Sequence, residues 1–137
     1  MSENLIEQHL KTLSLHRINE TYRQEAENAA KAKIGYQDYL QRLLEIEIIS
    51  KIERSINRKM QIAGFPQIKK LEEFDFSYQP MINEKLIREL ASLNFLDEAK
   101  NILFVGAPGV GKTHLAISIG IKAIQERKRV MFFTAED

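Results

Sequence analysis

The sequence predicts an α/β fold of the phosphate-binding-loop kind, its sheet entered through an α-helical leader. Three observations predict it. A glycine-rich octet, Gly106-Ala107-Pro108-Gly109-Val110-Gly111-Lys112-Thr113, stands between an apolar run of strand length and a helix-forming stretch. The run before it, Ile102-Leu103-Phe104-Val105, is apolar at every position, as in a parallel strand covered on both faces. Ahead of both, residues 4–63 contain one glycine and no proline, a composition that favours uninterrupted helix.

The leader reads as two helices. Ser14 is placed to cap the first, whose stripe of Leu15, Ile18, Tyr22, Ala26 and Ala29 recurs at intervals of three and four. Gly35 interrupts it. A longer helix follows with Leu40, Leu43, Leu44, Ile48, Ile52, Ile56 and Met60 on one side, so the pair is expected to close as a hairpin over a shared apolar seam. Lys51, Arg54 and Arg58 share another face at i, i+3 and i+7, with Lys59 beside them. This row has two readings. It is either a ridge that contacts DNA phosphates without reading sequence, or a solvated face on which Glu47 pairs with Lys51. Four phosphate contacts would give a log-log salt slope of roughly −3.6, about a 150-fold loss of affinity between 50 and 200 mM salt.

Turn-forming punctuation then separates the leader from the loop: Gly64-Phe65-Pro66 and Ser77-Tyr78-Gln79-Pro80. The expected organisation is a helical module over residues 1–66, a linker and short helix over 67–100, and the start of a nucleotide-binding domain over 101–137. Within the linker, Phe74 and Phe76 flank Asp75. They either fold over the adenine of a bound nucleotide or anchor the linker on the core. Asn83 is placed to cap a helix carrying Leu86, Ile87, Leu90 and Leu93.

Each residue type in the octet has a chemical reason. Gly106 opens torsions closed to other residues, and Gly109 and Gly111, with no Cβ, let backbone amides approach phosphate oxygens. Pro108 restricts the loop before binding. A helix opening at Gly111–Lys112 points unpaired N–H groups and the positive end of its dipole into the same concavity. Lys112 supplies a cation for the β and γ phosphates, and Thr113 a hydroxyl for Mg²⁺. The expected ligands are therefore ATP and Mg²⁺, held by Gly106, Ala107, Pro108, Gly109, Val110, Gly111, Lys112 and Thr113. Downstream, Leu115, Ala116, Ile119 and Ala123 continue an apolar helix face, Gly120 reads as a close-packing point, and Val130-Met131-Phe132-Phe133 reads as a second strand. Glu136-Asp137 after that strand reads as a helix start rather than a metal-positioning acidic pair.

Composition narrows the rest. The 137 residues carry a net charge of +1 and no cysteine, which excludes disulfides and thiolate metal sites and fits a reducing compartment such as the cytoplasm. No apolar stretch is long enough to span a bilayer, and Met1-Ser2-Glu3-Asn4 lacks the basic start of a secretion signal.

Residues Asn101 to Ala116, with Ala63-Gly64-Phe65-Pro66, Phe74-Asp75-Phe76 and the stretch Tyr39 to Glu47, resemble the IstB-like ATP-binding proteins encoded beside insertion-sequence transposases. The resemblance covers nearly the whole chain. It implies an AAA+ ATPase that assembles with ATP on DNA and helps a transposase engage its target. It also brings His114 into the nucleotide site as a family position, where a hydrogen bond beneath the loop is the expected role. DnaC-like helicase loaders share the loop followed by His-Leu-Ala, so helicase loading is the nearest alternative, and a helical binding module with a vestigial loop is a third. Family members continue past the position of Asp137 through a Walker B strand, a sensor strand and an arginine-bearing helix. The expectation is thus a fragment that binds ATP without hydrolysing it, with no catalytic residue of its own. Its two strands are not neighbours in the AAA+ sheet and are expected to leave unpaired edges.

Overall fold

The computed structural model describes residues 2–136, with side chains from Leu5 onward. Among the described residues six α-helices follow one another: α1 (Ser2–Thr12), α2 (His16–Ala32), α3 (Tyr36–Ala63), α4 (Glu84–Ala91), α5 (Asn94–Asp97) and α6 (Lys112–Gln125). A 3-10 turn (Leu71–Glu73) lies between α3 and α4. The described residues fall into two compact units that divide within α3, between Ser55 and Ile56. None of their helices is long and apolar enough to cross a membrane.

In the first unit, α1 ends in a left-handed residue. The N–H of Ser14 bonds to Lys11 O and that of Leu15 to Leu10 O, with Ser14 at φ 57°. Ser14 therefore terminates α1 and does not cap α2, as its position had suggested; the residue before α2 is Leu15, with no side-chain cap of its own. The missing cap comes from α3. Glu47 is 2 % exposed, and its Oε2 accepts the N–H of Ile18 in the first turn of α2 at 2.8 Å. The orphan amide of the helix start and the positive end of its dipole thus meet a carboxylate supplied across the unit.

That bond lies on the covered side of α3. Leu43 and Glu47 are buried, whereas Leu40, Leu44 and Ile48 stay exposed, contrary to the expected seam. Tyr39 pins the other end, its hydroxyl donating to Tyr22 O at 2.8 Å. Burial, followed by the charge of Glu25, raises the Tyr39 pKa.

In the second unit α6 is the central element, with Leu115, Ile117, Ile119, Ile121, Ala123 and Ile124 all buried. One core cluster joins Leu71, Ile87 and Leu115; another joins Leu93, Ile119 and Ala123. Asn83 caps α4, its Oδ1 accepting the Leu86 N–H at 3.1 Å. A Cβ on Gly120 would stand 2.9 Å from Phe65 Cζ and 3.4 Å from Val130 Cγ1, so the absence of a side chain lets both approach α6.

No strand forms among the described residues, so the segments expected as strands, 102–105 and 130–133, carry no ladder here. Both segments keep the alternation of a strand. Ile102 and Phe104 pack inward while Leu103 and Val105 are more than four-fifths exposed; Val130 and Phe132 pack inward while Met131 and Phe133 are exposed. Each has one covered face and no ladder partner. Phe132 N–H makes its bond with Ala63 O, at 2.8 Å, outside any sheet.

Candidate nucleotide-binding site

The glycine loop leads directly into α6. Gly109 and Gly111 both adopt positive φ, 82° and 97°, as a backbone nest requires. Leu115 N–H closes the first helical bond onto Gly111 O at 3.0 Å, which leaves the amides of Lys112, Thr113 and His114 ahead of the intrahelical ladder. A Cβ on Gly109 would meet nothing within 4 Å, so this side of the loop is open. Lys112 Nζ folds back onto the loop, bonding to Gly106 O and, at 3.1 Å, to Ala107 O. The loop and the start of α6 bring together donor types that could hold a polyphosphate, a primary ammonium, helix-start amides and the exposed Thr113 hydroxyl. Among the described residues no group of three or more His, Asp or Glu could cage a metal by itself. Mg²⁺ here would take the Thr113 hydroxyl together with phosphate oxygens and water.

The other flank of the loop is built by the segment from Lys69 to Gln79, held to α6 by a polar row at every fourth residue. His114 Nε2 lies 3.0 Å from Lys70 O, an imidazole N–H donating to a carbonyl. Ser118, 1 % exposed, has its Oγ 2.7 Å from both Lys69 O and His114 O. Lys122 Nζ reaches Glu72 Oε1, and this hydrogen bond is the main reason the Glu72 carboxyl titrates below its ordinary range. His114, Ser118 and Lys122 together fasten three consecutive turns of α6 to the strap that precedes Phe74.

Phe74 then packs on the nest itself. A Cβ on Gly111 would stand 2.6 Å from Phe74 Cε2, so the ring occupies the space that any side chain at 111 would need. It meets the His114 ring edge-on at 5.1 Å and the Phe76 ring at 4.8 Å. Both rings pack against the Leu71–Ile87–Leu115 cluster, and the Arg88 guanidinium lies 5.7 Å from the Phe76 ring. Beyond Phe74 the chain turns on Asp75, whose Oδ1 accepts the Ser77 hydroxyl, the Ser77 N–H at 2.9 Å and the Tyr78 N–H at 3.3 Å. These donors, the Ser77 hydroxyl foremost, lower the Asp75 pKa. Between this turn and the nest lies a recess of about 200 Å³, bordered by Phe74, Asp75, Tyr78, Gln79 and Gly109 to Gly111.

The basic residues of α3 have other partners. Lys51 Nζ donates to Ser14 O at 3.2 Å, and the expected Glu47–Lys51 pair gives way to Glu47–Arg54 at 3.1 Å. Lys59 Nζ donates to Arg127 O at 2.8 Å, and Arg58 is exposed. Of the acidic pair closing the sequence, Glu136 is exposed and Asp137 lies outside the described residues. Sequence reasoning gave no place at the site to Ser118, Tyr78 or Gln79, and no capping role to Glu47. Only Ser118 left a signal, a hydroxyl set four residues after His114 on an otherwise apolar helix face.

The family profile for IstB-like ATP binding protein matches residues 8–137. The chain belongs to the IstB-like ATP-binding family. It is 48 % identical over 112 residues to an insertion-sequence IS5376 protein of Geobacillus stearothermophilus described as ATP-binding, covering 82 % of this chain and 45 % of that relative. An IS21 protein of Pseudomonas aeruginosa with the same description is 42 % identical over 106 residues, 77 % of this chain and 40 % of its own length. An IS232 counterpart from Bacillus thuringiensis subsp. berliner is 39 % identical over 105 residues, 77 % of this chain and 42 % of the relative. The IstB-like chain thus spans less than half the length of these relatives, and the family profile, over residues 8–137, takes in the glycine loop described above.

Proposed function

We propose that this chain carries the ATP-gripping element of a DNA transposition helper. The nest at Gly109 and Gly111 holds the triphosphate, Lys112 neutralises its β and γ phosphates, and Thr113 completes the coordination of Mg²⁺. The observation that carries this reading is the positive φ of both glycines at the start of α6, with the Lys112 ammonium within the same loop. The AAA+ α/β sheet, assembly on DNA and engagement of a transposase belong to the same proposal, supported by the insertion-sequence context of the relatives. Segments 102–105 and 130–133 are the proposed strands of that sheet, each with its inward face already packed.

DNA contact by the basic row of α3 is proposed in a reduced form. Lys51, Arg54 and Lys59 each satisfy a partner inside their own unit, which leaves Arg58 as the residue of that row best placed to meet a phosphate. The test is DNA binding with and without Mg-ATP. Stimulation by ATP that disappears in Lys112→Ala supports a nucleotide-controlled helper; binding indifferent to ATP contradicts it.

A further inference from the structure

We infer that Arg58 of α3 and Arg127, Lys128 and Arg129 beyond α6 form one composite surface that grips the phosphates of duplex DNA without reading its sequence. This rests on the DNA-assembly reading above and moves most of the contacts from the α3 row to a patch shared by two segments. All four residues lie in the second unit and are exposed. Lys59 joins the segments, its Nζ donating to Arg127 O at 2.8 Å across 68 residues of sequence. Phe132 N–H bonds to Ala63 O one turn further along, so the end of α3 runs beside the chain that leaves α6. Arg58 is the residue next to that brace.

The basic run is fixed at both ends. Arg127 N–H bonds to Ile124 O and Lys128 N–H to Ala123 O, the paired bonds that close a helix through a left-handed residue, and Val130 then packs on the Leu93–Ile119–Ala123 cluster. Arg127 is that left-handed residue, at φ 62°. Glycine takes this conformation at the least cost, so the arginine stands there against the preference of its own backbone. Cations beside a helix C-terminus favour the helix dipole, which is the purely structural account of the run. That account needs no side chain at 127 and says nothing of the meeting with Arg58. Charge is also segregated. The sequence holds 20 lysines and arginines against 19 acids; outside Arg58, Lys59 and the run 127–129, 15 cations face 19 acids, so a net negative chain turns positive at this patch. Glu126 adjoins the run, but among the described residues no carboxylate forms an ion pair with any of the five cations. Guanidinium and ammonium groups held on one backbone and left without counter-charges suit a row of phosphates, and contacts to phosphates carry no sequence information.

The experiment is fluorescence anisotropy of two unrelated labelled DNA duplexes with the full 137-residue chain, between 50 and 200 mM salt. Four phosphate contacts give a log-log slope of roughly −3.6, and each contact removed takes away roughly 0.9. The triple variant Arg127→Gly, Lys128→Ala, Arg129→Ala is expected to fall to about −0.9 on both duplexes. Arg127→Gly alone should fall to about −2.7 while melting at the wild-type temperature or above it, since glycine suits the left-handed cap. A triple variant that keeps the wild-type slope and affinity overturns the inference and leaves the DNA reading standing, because DNA is still bound. A lowered melting temperature in Arg127→Gly with an unchanged slope overturns it too, and assigns the run to the helix end. Preference for phosphatidylserine vesicles over DNA, lost in the triple variant, overturns it in favour of a lipid surface. A wild-type chain that binds neither duplex even at the lower salt overturns both readings.

Discussion

The carboxylate of Glu47 accepts the backbone N–H of Ile18 at 2.8 Å, so a residue in the middle of α3 serves as the missing cap of α2. Arg54 holds the second oxygen of the same carboxylate at 3.1 Å, and Lys51 closes the α1–α2 corner by bonding Ser14 O. Three polar side chains of one helix thereby lock the entry of another.

Glu47→Ala is expected to destabilise the helical unit by about 1–3 kcal/mol, because a buried amide loses its acceptor. Glu47→Gln keeps an acceptor oxygen and should lose less. Urea denaturation followed by circular dichroism at 222 nm checks this; equal midpoints for wild type and Glu47→Ala would show that the bond contributes nothing.

Ser118→Ala is expected to loosen the strap over the loop. Its hydroxyl is shared between two carbonyls, and only the one at Lys69 belongs to the strap. Loss of that bond should lower thermal stability by about 1–3 kcal/mol. The same variant should weaken ATP binding, since Phe74 would no longer be held on Gly111. Full ATP affinity in a measurably destabilised Ser118→Ala chain would separate the strap from the site.

Acid should release the Asp75 turn. Its folded-state pKa lies below the ordinary aspartate value, so the turn's contribution is complete above that value and is lost as pH falls through the lowered one. Carboxyl carbon NMR should show Asp75 titrating below free aspartate, and Ser77→Ala should move it back up. A midpoint at the free-aspartate position in both proteins would contradict the turn described here.

The partners found for the basic row change the salt dependence expected of DNA binding. Four phosphate contacts from that row would give a slope near −3.6, whereas Arg58 as its single contact gives roughly −0.9. A log-log slope close to the steeper value in a chain lacking the Arg127–Arg129 cations, measured between 50 and 200 mM salt, would mean that Lys51, Arg54 and Lys59 abandon their internal bonds on DNA.

How much could be read from the residues follows from the range of the interactions. The positive φ of Gly109 and Gly111 and the helix start at Lys112 were legible because they are local backbone geometry, and the Asn83 cap for the same reason. Ser14 misled because a residue between two helices can end the first as readily as begin the second; the choice fell to an acceptor 29 residues past Ile18, at Glu47. The apolar side of α3 was legible as a pattern, but its covered arc was not, since Leu40 and Leu43 are equally apolar and only Leu43 is buried. Ile102 to Val105 read as a doubly buried strand from composition. Burial on both faces needs neighbours that a run of four residues cannot specify.

The most direct test is equilibrium dialysis of the purified chain against radiolabelled Mg-ATP, beside Lys112→Ala. Saturable uptake approaching one nucleotide per chain, abolished or severely weakened by the substitution, is the expected result. Uptake that Lys112→Ala leaves unchanged, or none by a wild-type chain whose helices are intact, would contradict the assignment of the Gly109–Thr113 nest as the place where the triphosphate is held.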